Sequence, residues 1–551
     1  MKSQPFFIGL ALSALTSLSA AAQSAPTYSW GNLPKIAQPT FRKDTVNVLT
    51  FGAKPDGVTL NTSAINKAIQ ACSQKGGGVV LVPGGLWLTG PIELKSNVNL
   101  HLKKAATLLF TTDKSQYALV EGVYEGKRAA RNQSPISGIN LENIAITGQG
   151  ILDGNGDVWR AVHKSQLTEG QWTKKLASGG VLKDDGKTWY PSEQFKKASV
   201  ENRSMLLTDG KKPQDFADMK DVLRPNLLVL TNCKKVLLEG ITCQNSAAWC
   251  LHPLMCQDLT LRNLTVKNPE YAHNGDGMDI ESCKNFLIEG CTLDVGDDAI
   301  CIKSGKDEEG RKRGMPTENG IIRNNNVYNG HGGFVVGSEM SGGARYIFVS
   351  NCTFMGTDKG LRFKSVRGRG GVVEHIYAKD IFMNDIAQEA IFFDMYYFVK
   401  FATDGVRDDR PVVNEGTPIF RNMKFENIVC NGAKKGVFIR GLPEMNVQNI
   451  AMSGLVLQTE KGVELIDASG ISLDNVQLIT ETTKPVIAIE NSSNLLFNTI
   501  RYDATTNLLF AVKGERSQAI RVTNTDLTKA QTKAEFSQGA QEKQLLLSAA
   551  K

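Results

Sequence analysis

Three stretches, CKKVLLEGITCQNS (Cys233–Ser246), CQDLTLRNLTVKN (Cys256–Asn268) and CKNFLIEGCTLDVGDDAICIKS (Cys283–Ser304), share one layout. Each opens on Cys, runs through a short strand of alternating apolar and polar residues, breaks at Gly or Asn, and starts a second short strand. Such alternation is the signature of a strand buried on one face. The layout returns in ARYIFVSNCTFMGTDKGLRFKS (Ala344–Ser365), VEHIYAKDIFMNDIAQEAIFFD (Val373–Asp394) and VQNIAMSGLVLQTEKGVELID (Val447–Asp467). The first apolar residues are Val236, Leu259, Phe286, Ile321, Ile347 and Ile376, in steps of 23, 27, 35, 26 and 29 residues, and Ile450 to Ile471 is a step of 21. A repeat of about 20–35 residues built from strands and turns marks a solenoid. The units carry no helical period, and few Asn-Gly-type hairpin signals that a sandwich or propeller would need. The expected fold is therefore all-β: a right-handed parallel β-helix, each coil about 4.8 Å above the last.

Two regions depart from the rhythm. Residues 62–73 place Ile65, Ala68, Ile69 and Cys72 at helical spacing, which predicts a helix capping the first coil and protecting its edge. Residues 157–222 are polar, long, and carry Trp159, Trp172 and Trp189. A long loop in a solenoid is functional or disordered, and the tryptophans argue for order, so an insertion walling a groove is expected. The expected organisation is a signal peptide at 1–22, an N-terminal extension at 23–45, a β-helix at 46–525 containing the insertion, and a C-terminal tail or cap at 526–551.

The signal peptide rests on Lys2, the apolar run Phe6–Ala20 and the small residues at Ala20–Ala22. It predicts export to the periplasm or medium, with no membrane insertion after cleavage. The ten cysteines sit mostly inside apolar alternating stretches and are expected as buried thiols rather than disulfides. A net charge of +7, with both signs interspersed, suits an anionic ligand without a block of the kind that grips nucleic acid.

The unusual polar residues recur at the coil period. Asp297 and Asp298 follow Asp276 by 21 and 22 residues, His331 lies 33 beyond Asp298, and Arg362 lies 31 beyond His331. One-coil spacing stacks residues on one face, so these should form a polar column. Three carboxylates could hold a hard cation. Arg362, Lys364 and Lys303 in the same column would repel it, so no metal and no cofactor is expected. Crowded aspartates instead divide protonation states, as glycoside hydrolysis requires of its acid and its base. Arg362 and Lys364 would suit a sugar carboxylate. Asp279 and Asp294 are expected as turn or strand-end residues.

NGDG, VGDD, GHGG and GLRFK resemble the four signature blocks of the polygalacturonases, glycoside hydrolase family 28, usually NTDG, Gly-Asp-Asp, GHG and RIK. The resemblance runs from about Phe51 to Tyr397. It implies an inverting hydrolase of α-1,4-galacturonosyl linkages in pectin. By position, Asp297 would be the general acid, Asp276 and Asp298 would activate water, His331 would tune the acid, and Arg362 and Lys364 would bind the galacturonate carboxylate. NSAAWCLHP, VVGSEMSGG and FKSVRGRGG resemble bacterial, often exo-acting members. Tyr396, with Tyr397 competing for its place, and Lys303, Glu339 and His252 are further substrate-contact candidates. Inversion generally requires carboxyl groups about 6.5–9.5 Å apart. Gly275 stands where relatives carry Thr, and Phe363 where they carry Ile. The alternatives are a hydrolase of rhamnogalacturonan-type or decorated pectin, or a non-catalytic polysaccharide-binding β-helix. The expected partner is galacturonan or its oligosaccharides, met by a monomer.

Overall fold

The computed structural model describes residues 28–208, 210–397, 399 and 410–549; the segment expected as a signal peptide lies outside them. The chain winds into a parallel β-helix whose strands all join one continuous parallel ladder, apart from a three-stranded and a two-stranded sheet beside it. The inward residues stack coil on coil. Val236 pairs with Leu259, Leu259 with Phe286, and Ile347 with Ile376. Between them the register corrects the expected step: Phe286 pairs with Gly320, and Ile321 faces outward opposite Leu287. Its cause is steric. The Phe286 ring fills the place a side chain would take, with Cζ 2.1 Å from where a Cβ on Gly320 would stand.

Asparagines turn the corners. Asn232, Asn263, Asn324 and Asn351 all hold φ between 50° and 58°, the left-handed region that Asn tolerates better than other side chains. Their amides bond across coils, as from Asn351 to Asn324 at 2.7 Å. All ten cysteines are buried free thiols, and Cys256 donates its backbone N–H to Cys283 Sγ at 3.4 Å in an inward stack.

The helix Thr62–Gln74 buries Ile65, Ala68, Ile69 and Cys72, the predicted face, against the first strands. The segment after Tyr28 lies along the outside of the solenoid: Trp30 meets Phe348 edge-on at 5.2 Å, and Gln38 donates to Thr260 at 2.6 Å. At the other end the ladder continues into what was expected as a tail or cap, through Thr532–Ser537 and Leu545–Ala549.

Two elements leave the solenoid on the same side. The insertion folds into the helices Glu169–Ala177 and Glu193–Glu201, a 3-10 segment Pro213–Val222 and a small antiparallel sheet, with Trp159, Trp172 and Trp189 buried. The second element is a hairpin of Leu119–Tyr124 and Lys127–Asn132. Ala130 of the hairpin packs with Ala198, Phe216, Met219 and Leu223 of the insertion, so the two form one wall.

Phe363 faces inward and is fully buried, stacked on Phe393 with ring centroids 4.3 Å apart. Phe363→Ala is therefore expected to lower the unfolding free energy by about 3–5 kcal/mol in urea denaturation. A loss below about 1 kcal/mol would mean that the stacked phenylalanines do not carry the core here.

Candidate active site

Strands Leu251–Leu254, Met278–Glu281, Asp298–Lys303, Gly332–Val336 and Lys359–Lys364 lie side by side in parallel. Alternation points Met278, Ile280, Ile300 and Ile302 inward. It leaves Asp279 opposite Cys301, Cys301 opposite Val335 and Val335 opposite Arg362 on the outer face. Asp276, Asp297 and His331 stand in the turns that lead into these strands. Coil stacking thus brings residues as far apart in sequence as Asp276 and Lys364 into one cluster.

Asp298 lies at its centre. Lys364 Nζ donates to Asp298 Oδ2 at 2.7 Å, and Arg362 donates to Oδ1 at 2.9 Å. Burial alone would raise the pKa of Asp298, but Lys364 and Arg362 outweigh it and hold the carboxyl well below the usual range. Asp276 is the opposite case. Its Oδ1 has no hydrogen-bond partner, and burial, reinforced by Asp279 and Asp297, pushes its pKa well above the usual range. Asp297 is the most open of the three, with a fifth of its side chain exposed. His331 Nδ1 lies 2.8 Å from Asp297 Oδ1, which also accepts the Asp298 backbone N–H at 3.0 Å. That hydrogen bond raises the pKa of His331.

Asp276, Asp297 and Asp298 each offer an oxygen within 4.8 Å of the others. Three such oxygens could hold a cation. Both Asp298 oxygens, however, already accept from Lys364 and Arg362, and Asp297 Oδ1 accepts from its neighbours. The donor set suits proton transfer better than metal binding.

Asp279 is not the turn or strand-end residue expected. It is fully buried on the outer face, its two oxygens without hydrogen bonds and Oδ1 3.5 Å from Lys303 Nζ. Lys303 also binds Glu339 at 3.0 Å and lies 4.5 Å from the centre of the Trp249 ring. Burial would raise the pKa of Glu339, yet Lys303 and Lys364 bring it down to about 2. Asp294 is the strand-end residue expected, and its carboxylate accepts from Asn329 at 2.9 Å.

His252 and Tyr396 lie outside the cluster. His252 is buried one coil below, with Nε2 2.9 Å from Glu281. The Tyr396 ring lies against the guanidiniums of Arg367 and Arg440, 5.2 and 5.4 Å away. Its neighbour Tyr397 faces the site instead, 4.9 Å from Lys364 Nζ and 5.6 Å from the Arg362 guanidinium. The turn that exchanges the two tyrosines leaves no mark in the sequence.

Gly275 is accounted for by space. A Cβ there would lie 2.6 Å from the Ala272 carbonyl oxygen, so this turn has no room for Thr. Arg224 was not anticipated. It donates to the His273 carbonyl at 2.6 Å and to Asn274 Oδ1 at 2.7 Å, bracing the loop that carries Asp276, and the charges of Asp276 and Asp297 act on it. The hairpin was missed as well, although its Glu125–Gly126 turn between VEGVY and RAARN was a local signal. Its tip is docked beside the cluster, where Glu125 pairs with Lys306 at 2.8 Å and Lys127 with Asp307 at 2.7 Å.

A parallel β-helix bearing clustered carboxylates in opposed electrostatic environments on its outer face is a framework suited to cleaving a polysaccharide. Residues 175–460 match the model of glycosyl hydrolases family 28, and 45–151 match that of rhamnogalacturonase A/epimerase, pectate lyase-like proteins. The chain is 27% identical over 446 residues to a probable polygalacturonase of Vitis vinifera, covering 78% of this chain and 79% of the relative. It is 29% identical over 366 residues to the exo-poly-alpha-D-galacturonosidase of Dickeya chrysanthemi, covering 64% and 57%. The solved exopolygalacturonase of Thermotoga maritima is 32% identical, with a TM-score of 0.66, covering 80% of this chain and 93% of that one. The chain belongs to glycosyl hydrolases family 28. It is a glycoside hydrolase with the right-handed parallel β-helix of that family.

The raised pKa of His331 fixes the sign of a pH effect. The stabilisation from its contact with Asp297 is fully present below the ordinary histidine value of 6.5 and is lost as pH rises through the raised one. The melting temperature of the wild type should therefore exceed that of His331→Gln most below pH 6.5, and the gap should shrink on the alkaline side. A gap that widens with pH would contradict the assignment.

Proposed function

We propose that the protein is an exo-acting, inverting hydrolase of α-1,4-galacturonosyl linkages in polygalacturonate, releasing galacturonate. The observation that carries this is the cluster of three aspartates in which Asp298 is bonded to Lys364 and Arg362 and Asp297, the most open, to His331. Asp297, open to the groove and held by His331, gives its proton to the glycosidic oxygen as the C–O bond breaks. Asp298, kept ionised by Lys364 and Arg362, takes a proton from the water that attacks the anomeric carbon. Asp276, its pKa raised by burial, orients that water, which separates the equal roles expected for it and Asp298. Arg362 and Lys364, beside Tyr397, present a cationic face to the substrate carboxylate.

Two observations support the exo mode. The docked hairpin and the insertion behind it wall off one side of the catalytic cluster. The Dickeya and Thermotoga relatives are named as exo-acting enzymes. Export is proposed from the N-terminal apolar segment; no helix among the described residues is long and apolar enough to cross a membrane.

Asp297→Asn should lower kcat on polygalacturonate by about 10²–10⁴-fold with an unchanged circular dichroism spectrum. Near-normal turnover would show that another group is the acid. In a thin-layer digest the wild type should yield galacturonate alone from the earliest times, whereas an oligomer ladder would replace exo with endo cleavage.

A further inference from the structure

Beneath the hairpin, a cavity of about 640 Å³ is bounded on one side by the solenoid and on the other by Val120–Val123 and Arg128–Gln133. None of the catalytic aspartates lines it. Its volume falls in the range of small-molecule sites, about 300–1,000 Å³. Most of its charges are satisfied within the protein: Arg313 pairs with Glu281 at 2.6 Å and Arg128 with Glu121 at 2.8 Å.

Arg131 differs from these. It is buried, with 6% exposure, and lines the cavity. Its guanidinium makes one hydrogen bond, to Asn226 Oδ1 at 3.1 Å, and lies 5.2 Å from the Tyr124 ring centre, but has no ion pair among the described residues. Glu125, whose charge acts on it, is committed to Lys306. Burial and the neighbouring Arg224 push its pKa down to about 10, so it stays charged at neutral pH. A buried cation without a counter-charge is costly, and a bound anion would offset that cost.

The wall around Arg131 carries polar side chains such as Asn226, Gln133 and Ser137 and apolar ones such as Val229 and Leu254. It therefore offers a guanidinium seeking a carboxylate beside groups that can bond hydroxyls and an apolar surface. A sugar acid presents that combination: one carboxylate, several hydroxyls and an apolar ring face. We propose that this cavity is a second binding site for a uronate unit, separate from the cleavage site and anchored by Arg131. The ligand class rests on the proposed galacturonan substrate.

His252 links the cavity to the catalytic cluster. It lines the cavity and contacts Trp249 edge-on at 5.0 Å, and Trp249 in turn contacts Lys303. Occupancy can thus be felt at Lys303, Asp279 and Glu339 without the ligand touching them.

The test is titration calorimetry of galacturonate into the intact protein, with galactose as the neutral control. The wild type should bind two galacturonates per chain, and Arg131→Gln one. Arg131→Gln should also hydrolyse trigalacturonate with kcat/KM within about twofold of wild type, because Arg131 bonds Asn226 and the cavity it lines holds none of the three clustered aspartates. Arg131→Lys, which keeps the charge, should regain part of the second site if the glutamine variant melts early. A single site in the wild type, two sites in a folded Arg131→Gln, or equal binding of galactose would overturn the proposal. Loss of trigalacturonate turnover in Arg131→Gln would do so too, by making the cavity part of the catalytic groove. An oligomer ladder in the digest would fail the exo mode alone and leave the second site standing.

Discussion

The parallel hydrogen-bond ladder that joins Asp279 to Cys301, Cys301 to Val335 and Val335 to Arg362 is the constraint on which the site depends. Strands in such a ladder lie about 4.8 Å apart. Asp298, Arg362 and Lys364 are therefore placed by backbone pairing, and Asp276, Asp297 and His331 stand in the turns that lead into the paired strands. The inward stack of Phe363 on Phe393 fixes the same strand that presents Arg362 and Lys364 on its other face. Core packing and site geometry are two faces of one rung.

Within that frame, electrostatics assigns the roles. Carboxylates crowded in a low-dielectric cluster cannot share one protonation state. Lys364 and Arg362 draw the negative charge to Asp298, and burial, with Asp279 and Asp297 near by, pushes the pKa of Asp276 the other way. The same two cations are the groups proposed to meet the substrate carboxylate. On that proposal, substrate binding and the charge of Asp298 are coupled, because a uronate in the site would compete with Asp298 for Lys364 and Arg362.

The coil and the column were legible because both are periodic. Asp276, Asp297, Asp298, His331, Arg362 and Lys364 recur at coil spacing, and the structure brings them together. Strict alternation in MDIE also held the outward direction of Asp279; what it could not show is that this outer face is covered, which turns a surface carboxylate into a buried one. Arg224, the hairpin and the choice between Tyr396 and Tyr397 depend on irregular segments that have no period to read. Ile321 was misplaced by one residue for a related reason: a glycine beneath a large ring looks like a break in the apolar pattern, although it is the inward position.

The central claim is that Asp297 as acid and Asp298 as base perform one displacement by water. Proton NMR of the first product released from polygalacturonate, recorded before mutarotation, tests it directly. The account predicts that the new reducing end appears first as the β-anomer. First appearance of the α-anomer would mean a covalent intermediate on one of these aspartates and would contradict it.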